Sequence, residues 1–219
     1  MARTGRPRTF DRDDAVEQAM QLFWQHGYDS TSLALLKAEL GGGISAPSFY
    51  AAFGSKEALF DECVQRYLAT FAQVTECLWD ENLPPRQAIE TALRQSARMQ
   101  CDDGHPKGCM VTLGVMSAPS PENVGVVAAL TESRARTRSG IVACVERGVA
   151  VGELLENTVA PVMATVFDSF LQGISILARD DTPLEVIDAA ITQIMLTWDI
   201  AATSVQATTE KDTADIAEA

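Results

Sequence analysis

Three consecutive glycines, Gly41 to Gly43, separate two short segments whose apolar residues recur at helical spacing. The first segment occupies residues 31–40, and the second opens on Ser45, a good capping residue, and ends before Gly54. Glycine adopts left-handed backbone conformations that other residues avoid, so the run predicts a turn between two helices rather than one longer helix. Residues 31–54 are therefore predicted to form a helix-turn-helix.

The remainder of the chain also has helical spacing, and the alternation typical of strands appears nowhere in the sequence. An amphipathic helix precedes the turn, with Asp11 as its cap and Gly27 as its stop. A fourth helix opens after Ser55 and keeps its apolar positions as far as Trp79. Helical segments follow to residue 205, and the polar residues 206–219 are predicted to be a disordered acidic tail. We therefore expect an all-α fold.

The composition is typical of a protein with an apolar core and no membrane span. Apolar residues make up 47% of the 219 residues, yet no uninterrupted apolar stretch reaches the roughly 18 residues that a span requires. The five cysteines form no CxxC pair, which is typical of reduced thiols rather than a disulfide framework. The basic start lacks the apolar segment of a signal peptide, so we expect a cytoplasmic protein.

The formal net charge of −13 argues against a protein that coats nucleic acid with its whole surface. The acidic residues lie mostly in residues 61–219, which carry 23 Asp and Glu against 11 Lys and Arg, whereas residues 1–60 carry seven against six. Residues 1–9 contain three arginines and are predicted to be a flexible basic arm, which could contact DNA or simply keep the terminus solvated. The amino-terminal region is therefore the part suited to DNA.

The second helix of the predicted motif has the chemistry of a DNA recognition helix. Small residues at its start allow close approach to base edges, and hydroxyl groups can reach bases and phosphates. Lys56, in the first turn of the next helix, opposes the helix dipole without an evident role in folding, so we interpret it as a phosphate clamp. The predicted DNA contacts are Arg3, Arg6, Arg8, Thr31, Ser32, Ser45, Ala46, Pro47, Ser48, Tyr50 and Lys56.

Residues 10–60 resemble the DNA-binding domain of the tetracycline-repressor (TetR/AcrR) family of bacterial regulators. The resemblance rests on an ordered set of motifs, namely an apolar helix ending in HGY, then TSLALL, SxxSFYxxF and GSKEALF. It implies a three-helix DNA-binding domain at residues 10–57 and a larger helical ligand-binding and dimerisation domain at residues 58–205. It also implies a homodimer that pairs through its last two helices, binds a palindromic operator in double-stranded DNA and represses transcription until a small-molecule effector releases it.

The glycine run departs from the family pattern. Family members usually carry one glycine and one apolar residue at this point, whereas Gly41-Gly42-Gly43-Ile44 is two residues longer. We expect Gly41 to end the helix and the next two glycines to take up the extra length, so that Ile44 still reaches the small core.

Soft apolar side chains on the central helices are candidates for an adaptable effector pocket, although each of them also suits an ordinary core. They are Met99, Cys109, Met110, Met116, Phe167 and Phe170. Nothing in the sequence identifies the effector.

The loop CDDGHPKGC places Cys101, His105 and Cys109 close together in sequence. Its spacing matches no diagnostic metal site, so a polar loop with two incidental thiols is favoured over a metal- or thiol-responsive site. Lys107 is near enough in sequence to favour a thiolate at Cys109, which keeps a redox-sensing thiol open as an alternative.

Motifs of catalysis are missing from the sequence. It has no phosphate-binding glycine loop, no GxSxG elbow and no HExxH, and we therefore predict no enzyme, no cofactor and no metal site. A helical protein-interaction module that does not bind DNA is the remaining alternative.

Overall fold

Nine α-helices account for most of the computed structural model, which describes residues 11–116 and 119–217, with side chains as far as residue 202. Three 3₁₀ segments, Leu40–Gly42, Phe71–Trp79 and Pro121–Asn123, lie between them. The described ranges contain no strand, so the predicted all-α fold is confirmed. The helices are α1 (Arg12–Ser30), α2 (Leu33–Glu39), α3 (Ala46–Phe53), α4 (Lys56–Ala69), α5 (Pro85–Gln100), α6 (Met110–Leu113), α7 (Ala128–Ala150), α8 (Ala160–Arg179) and α9 (Leu184–Ala217).

Local signals set the ends of the first helices. Asp11 caps α1 by accepting hydrogen bonds from two backbone N–H groups of the first turn. Gly27, the predicted stop, has φ 77° and interrupts the helical backbone just before the last residues of α1. Ser45 caps α3 in the same way as Asp11 caps α1, and Gly54 ends α3 at φ 75°. Asp11, Ser45 and Gly54 behave as the sequence predicts, whereas Gly27 kinks α1, which resumes and ends at Ser30.

The glycine run forms a tight turn in which all three residues have left-handed φ. The values are 60°, 77° and 106° for Gly41, Gly42 and Gly43. The Gly41 N–H donates to the side-chain Oε1 of Gln18 in α1 at 2.9 Å, which fixes the turn to the first helix. Ile44 is partly buried and packs against the neighbouring core. The extra length is therefore taken up in the turn, and Ile44 reaches the core as expected.

Two apolar clusters divide the molecule. The first contains the buried faces of α1 to α4 together with α6 and the start of α7. The second lies among α5, α7, α8 and α9. Because α4 contributes buried residues as far as Tyr67, the core of the amino-terminal region continues past the boundary predicted at residue 57.

The helix predicted to run from Ser55 to Trp79 is wrong in its second half. α4 ends at Ala69, and Thr70 leaves helical geometry with φ −122° and ψ −85°. The Thr70 hydroxyl donates to the Arg66 carbonyl at 2.7 Å, a side-chain bond of the kind that bends and ends helices. A 3₁₀ segment follows and turns the chain toward α5, with which it packs closely.

The carboxyl-terminal prediction also needs correction. The backbone of α9 continues through Ala217, where a disordered tail was predicted from residue 206. Extending an existing helix costs far less than nucleating one, so a polar segment can prolong a packed helix.

Candidate DNA-binding surface and ligand cavity

α3 is a short amphipathic helix held by two buried aromatic anchors. Phe49 and Phe53 lie in the first core, while Ser45, Pro47, Ser48 and Tyr50 are exposed on the opposite side, with Ala46 partly exposed. Tyr50 keeps 51% of its surface open to solvent, an unusual exposure for an aromatic residue in a small domain. The predicted contacts of α3 are thus presented together on one outward face.

The two predicted DNA contacts that precede α2, Thr31 and Ser32, differ in exposure in the structure. Ser32 is exposed and caps α2 by accepting a hydrogen bond from the Leu35 N–H at 3.1 Å. Thr31 is fully buried, and its hydroxyl donates to the Gly27 carbonyl at 2.7 Å. The Thr31 side chain holds the end of α1, so its prediction as a DNA contact is corrected.

Lys56 has a structural partner that the sequence did not reveal. Its ammonium nitrogen lies 4.0 Å from the centre of the Tyr28 ring, and the Tyr28 hydroxyl donates to Glu57 Oε1 at 2.9 Å. Partial burial lowers the pKa of Lys56, and the nearby Asp29 and Glu57 carboxylates oppose that shift. The expectation that Lys56 has no folding role is therefore corrected, although its side chain is still partly exposed at the start of α4.

The three arginines of the predicted arm, Arg3, Arg6 and Arg8, lie outside the described residues. The next arginine, Arg12, forms a two-pronged ion pair with Glu62 of α4, with both N···O distances 2.7 Å. Its guanidinium also lies over the Phe53 ring at 5.4 Å. Arg12 thus fastens α1 to α4 and to the end of α3.

A cavity lies between the two clusters, walled by α4, α5, α6, α7 and α8 and by the 3₁₀ segment after α4. It has about 500 Å³ of empty space, including the part open to solvent. Most of its wall area is apolar, but more than half of the lining residues have polar side chains, among them Tyr67, Ser96, Gln100, Arg134 and Asp168; Cys109 also lines it. A mostly apolar cavity with a few convergent polar groups is the usual form of a small-molecule site.

Hydrogen bonds order several of these polar groups. The Tyr67 hydroxyl donates to Cys109 Sγ at 3.3 Å, and Ser175 donates to Gln100 Oε1 at 2.7 Å. Asp168, only 5% exposed, accepts from Arg138 and Gln172, both at its Oδ2 oxygen. Burial, followed by the contact with Cys109, raises the pKa of Tyr67, so its hydroxyl stays protonated and remains a donor.

Comparison with known proteins connects these surfaces with a family. The sequence pattern described as bacterial regulatory proteins, tetR family, matches residues 15–63, which span α1 to α4. The HTH-type transcriptional repressor ComR of Escherichia coli is 33% identical over 182 residues, or 83% of this chain and 85% of ComR. This chain belongs to the tetR family of bacterial regulatory proteins. The resemblance recognised from its motifs is confirmed.

Solved structures of the tetR family extend the match to the whole fold. A cysteine mutant of the regulator CifR, in complex with a 26-base-pair operator DNA, is 35% identical with a TM-score of 0.76. The match covers 88% of this chain and all of that one. A second relative found by sequence, the HTH-type transcriptional repressor BdcR of E. coli, is 37% identical over 113 residues, about half of each chain.

For this tetR-family member the predicted pocket residues divide into two groups. Met99 and Cys109 line the cavity, and their role as ligand contacts stays a prediction. Met110 and Phe167 are fully buried core residues, Phe170 packs against the second cluster, and Met116 is 58% exposed, so none of these four lines this cavity. The polar wall was not predicted from the sequence, although Asp168, the one carboxylate within the largely apolar α8, is a signal for it.

The loop between α5 and α6 does not form the site that its Cys and His residues could suggest. Among the described residues no group of three or more His, Cys, Asp and Glu could hold a metal ion. The His105 ring stacks on Trp24 with ring centres 4.4 Å apart. Lys107 donates to the Cys101 carbonyl and pairs with Asp103, so the expected partnership of Lys107 with Cys109 is not found. Burial raises the pKa of Cys101, which keeps it a thiol, against an opposing effect of Lys107.

Proposed function

We propose that this tetR-family protein is a cytoplasmic, non-catalytic repressor of transcription that binds operator DNA through α3 and is released when a small molecule occupies the cavity. The observation that carries the proposal is the outward face of α3, where hydroxyls, a small residue and an exposed tyrosine stand on a helix anchored by Phe49 and Phe53. CifR, the relative solved with operator DNA, has the same fold over nearly the whole chain.

The α3 face supplies base contacts, and its flanks supply phosphate contacts. In this assignment the small first turn of α3 approaches base edges, while Ser32 and Lys56 lie at the two sides. Arg3, Arg6 and Arg8 add affinity from the arm. The full proposed set is Arg3, Arg6, Arg8, Ser32, Ser45, Ala46, Pro47, Ser48, Tyr50 and Lys56.

Two copies are proposed to pair through α8 and α9. Large apolar side chains on these helices, and Val159 just before α8, remain exposed in the single chain; those on the helices are Val162, Val166, Ile176, Leu177, Val186, Leu196 and Ile200. By length and composition α8 is the one helix in the described ranges that could span a membrane, and 39% of its apolar stretch is buried. A self-complementary interface explains an apolar face that continues across both helices, and a two-fold dimer matches a palindromic operator.

The cavity and the DNA-binding region share structural parts. α6 lines the cavity with Val111 and Thr112, and its first residue, Met110, is buried in the core that contains α1. The Trp24 indole of α1 donates to the Gly108 carbonyl at 3.1 Å, directly before Cys109. Arg179, at the end of α8, donates to the carbonyl of Trp24 at 2.9 Å. A ligand that moves α6 would therefore change how α1 sits on the effector domain.

A thiol-responsive variant of this proposal has one specific observation in its favour. Cys109 lies in the cavity wall, so a reagent entering the cavity meets its sulfur beside the Tyr67 hydroxyl. The metal-responsive variant has no comparable support in the described residues. Release of DNA by a mild oxidant, reversed by a thiol reductant, would favour the thiol variant over ligand binding alone.

The proposal is tested by titrating the purified full-length protein into labelled duplex DNA at low and physiological salt. We expect binding that weakens steeply as salt increases, because phosphate contacts release counterions. A protein that ignores DNA even at low salt would contradict the proposal and favour a helical protein-interaction module. An unrelated acidic protein of similar size is the control for non-specific retention.

A further inference from the structure

The cavity contains a cationic donor whose hydrogen bond is missing. Arg134 projects from α7 into the cavity wall, and its Nε–H is buried without a partner. No other side-chain nitrogen or oxygen that is buried within the described part of the chain lacks a hydrogen bond. The Arg134 residue is partly exposed, so its charge is not fully buried, but a buried N–H without a partner is still costly and points to a missing acceptor.

Asp168, the carboxylate in the cavity lining, does not neutralise the charge of Arg134. Of the side chains that line the cavity, only Arg134 and Asp168 carry a full charge at neutral pH. Asp168 is already paired, since it forms an ion pair with Arg138 at 2.8 Å and accepts a further bond from Gln172 at 2.9 Å. One positive charge is therefore left without compensation beside the empty space. A ligand with one negative charge would complete the balance.

The size of the space limits the ligand. The centre of a water molecule can move through about 50 Å³ of the cavity, whereas a single bound water needs about 10–15 Å³ on the same measure. The space corresponds to a few waters and favours a small molecule. Apolar side chains, including Met99, Val111 and Leu171, form the wall against which an apolar body would pack.

We propose that the cavity binds a small carboxylic acid as its anion, with the carboxylate paired to Arg134 and a compact apolar body against Met99, Val111 and Leu171. A carboxylate fits better than a phosphate, because it carries one charge and needs fewer donors. This inference rests on the proposed function, in which the same cavity is the effector site. Occupation of the cavity by the acid releases operator DNA.

Matched pairs of probes test the charge requirement directly. Binding of benzoate, hexanoate and butyrate to the full-length protein is measured by calorimetry at neutral pH, each beside its uncharged amide. We expect at least one acid to bind about tenfold more tightly than its amide, because hydrogen bonds to charged groups are the stronger ones. The same acid should release duplex DNA from the protein.

Variants assign the effect to Arg134. In R134Q the preference of the acid over the amide should disappear, whereas R134K should keep part of it because the charge remains. Arg98→Gln, which removes an exposed arginine on α5 outside the cavity lining, is the charge-matched control and should behave as the wild type. If R134Q proves too unstable to purify, R134K and the wild-type comparison of acids with amides still decide the question.

Two results would overturn the inference. One is that none of the acids binds more tightly than its amide, which would mean that the cavity is simply solvated; the other is that R134Q keeps the full preference. The DNA titration on the same preparation separates this inference from the proposed function. If the protein binds DNA but does not prefer acids over amides, only the proposed ligand class is wrong. If it prefers acids but does not bind DNA, the proposed repressor function is wrong.

Discussion

At the scale of single residues, Lys56 shows how one side chain can serve both folding and binding. Its ammonium rests on the Tyr28 ring at 4.0 Å, a contact that orients the side chain at the start of α4. Ser55 caps the first turn of α4 by accepting a hydrogen bond from the Ala58 N–H at 3.1 Å, so the phosphate contact is assigned to the Lys56 ammonium itself. Tyr28 thus positions the group that we assign to the DNA backbone.

Replacing Lys56 with alanine should weaken binding to every DNA sequence by a similar factor. The slope of log affinity against log salt should fall by about one unit, because one phosphate contact is lost. Lys56→Arg, which keeps the charge, should retain the slope, and a thermal melt of each variant controls for the lost contact with Tyr28. An alanine variant with wild-type affinity and slope would remove Lys56 from the DNA contacts.

At the scale of elements, the turn between α2 and α3 shows why this chain needs glycine there. Gly43 has φ 106°, and a methyl group built on it would meet only the Ala38 carbonyl oxygen at 3.9 Å. Space is therefore available, and any penalty for a side chain comes from the backbone conformation. The turn sets the position of α3 relative to α2, so the backbone conformation of the turn also affects how α3 is presented to DNA.

Gly43→Ala should lower the free energy of unfolding by about 1 kcal/mol, since alanine at this φ is strained. Chemical denaturation measures the change. Gly125→Ala is the control, because a methyl group there meets nothing within 4 Å and φ is not left-handed, so its effect should stay within about 0.5 kcal/mol. Equal stability of the two variants would mean that the turn relaxes to accept a side chain.

The Arg12–Glu62 pair, which joins α1 to α4, should make stability depend on pH. The hydrogen bond from Arg12 lowers the pKa of Glu62 in the folded protein, so the pair stabilises the fold above the unfolded-state pKa of about 4.3. That contribution is lost as pH falls through the lower, folded pKa. It should be below about 1 kcal/mol, because both side chains are partly exposed.

Glu62→Gln should therefore be less stable than the wild type at pH 7 and lose less stability between pH 5 and about pH 3. Urea unfolding at several pH values measures the difference. Glu146→Gln, at an exposed position on α7, should follow the wild-type profile. A Glu62→Gln profile that is parallel to the wild type over this range would show that the pair is not coupled to folding.

Much of the amino-terminal fold could be predicted because its signals are local. Asp11, Ser45 and Gly54 act on their own helix ends, and a local effect can be read from neighbouring residues. The burial of Thr31 and the ring beneath Lys56 depend on helices that meet only in three dimensions. For the same reason the polar wall of the cavity was missed, since Arg134 and Asp168 come from different helices.

At the scale of the whole molecule, the arrangement places the cavity between the DNA-binding region and the proposed dimer helices. α6 and the loop before it contact the first core, while α8 lines the cavity and presents its other face outward. The distance between the two α3 helices in a dimer would then depend on how α1 and α4 pack against α6 and the loop before it. An effector that binds one packing arrangement of α1 and α4 more tightly than another would therefore change the affinity for DNA.

Leu196→Asp should convert the dimer to a monomer and reduce DNA affinity by at least about tenfold, because a charge is placed in an apolar interface and one half-site is lost. Leu196 lies on α9 with 44% of its surface exposed in the single chain. Val151→Asp, 64% exposed at the end of α7, is the matched control and should remain dimeric. Sedimentation and DNA titration check both properties. A Leu196→Asp protein that is still dimeric and still binds would place the interface elsewhere.

Selection from random duplex DNA tests whether two copies of α3 read the two halves of one operator. Wild-type protein should enrich a palindromic sequence, and Ser48→Ala, which leaves the Ser45 cap in place, should change the preferred bases at symmetric positions of both half-sites. Enrichment of a site without two-fold symmetry, no enrichment even at low salt, or an unchanged Ser48→Ala preference would contradict the account.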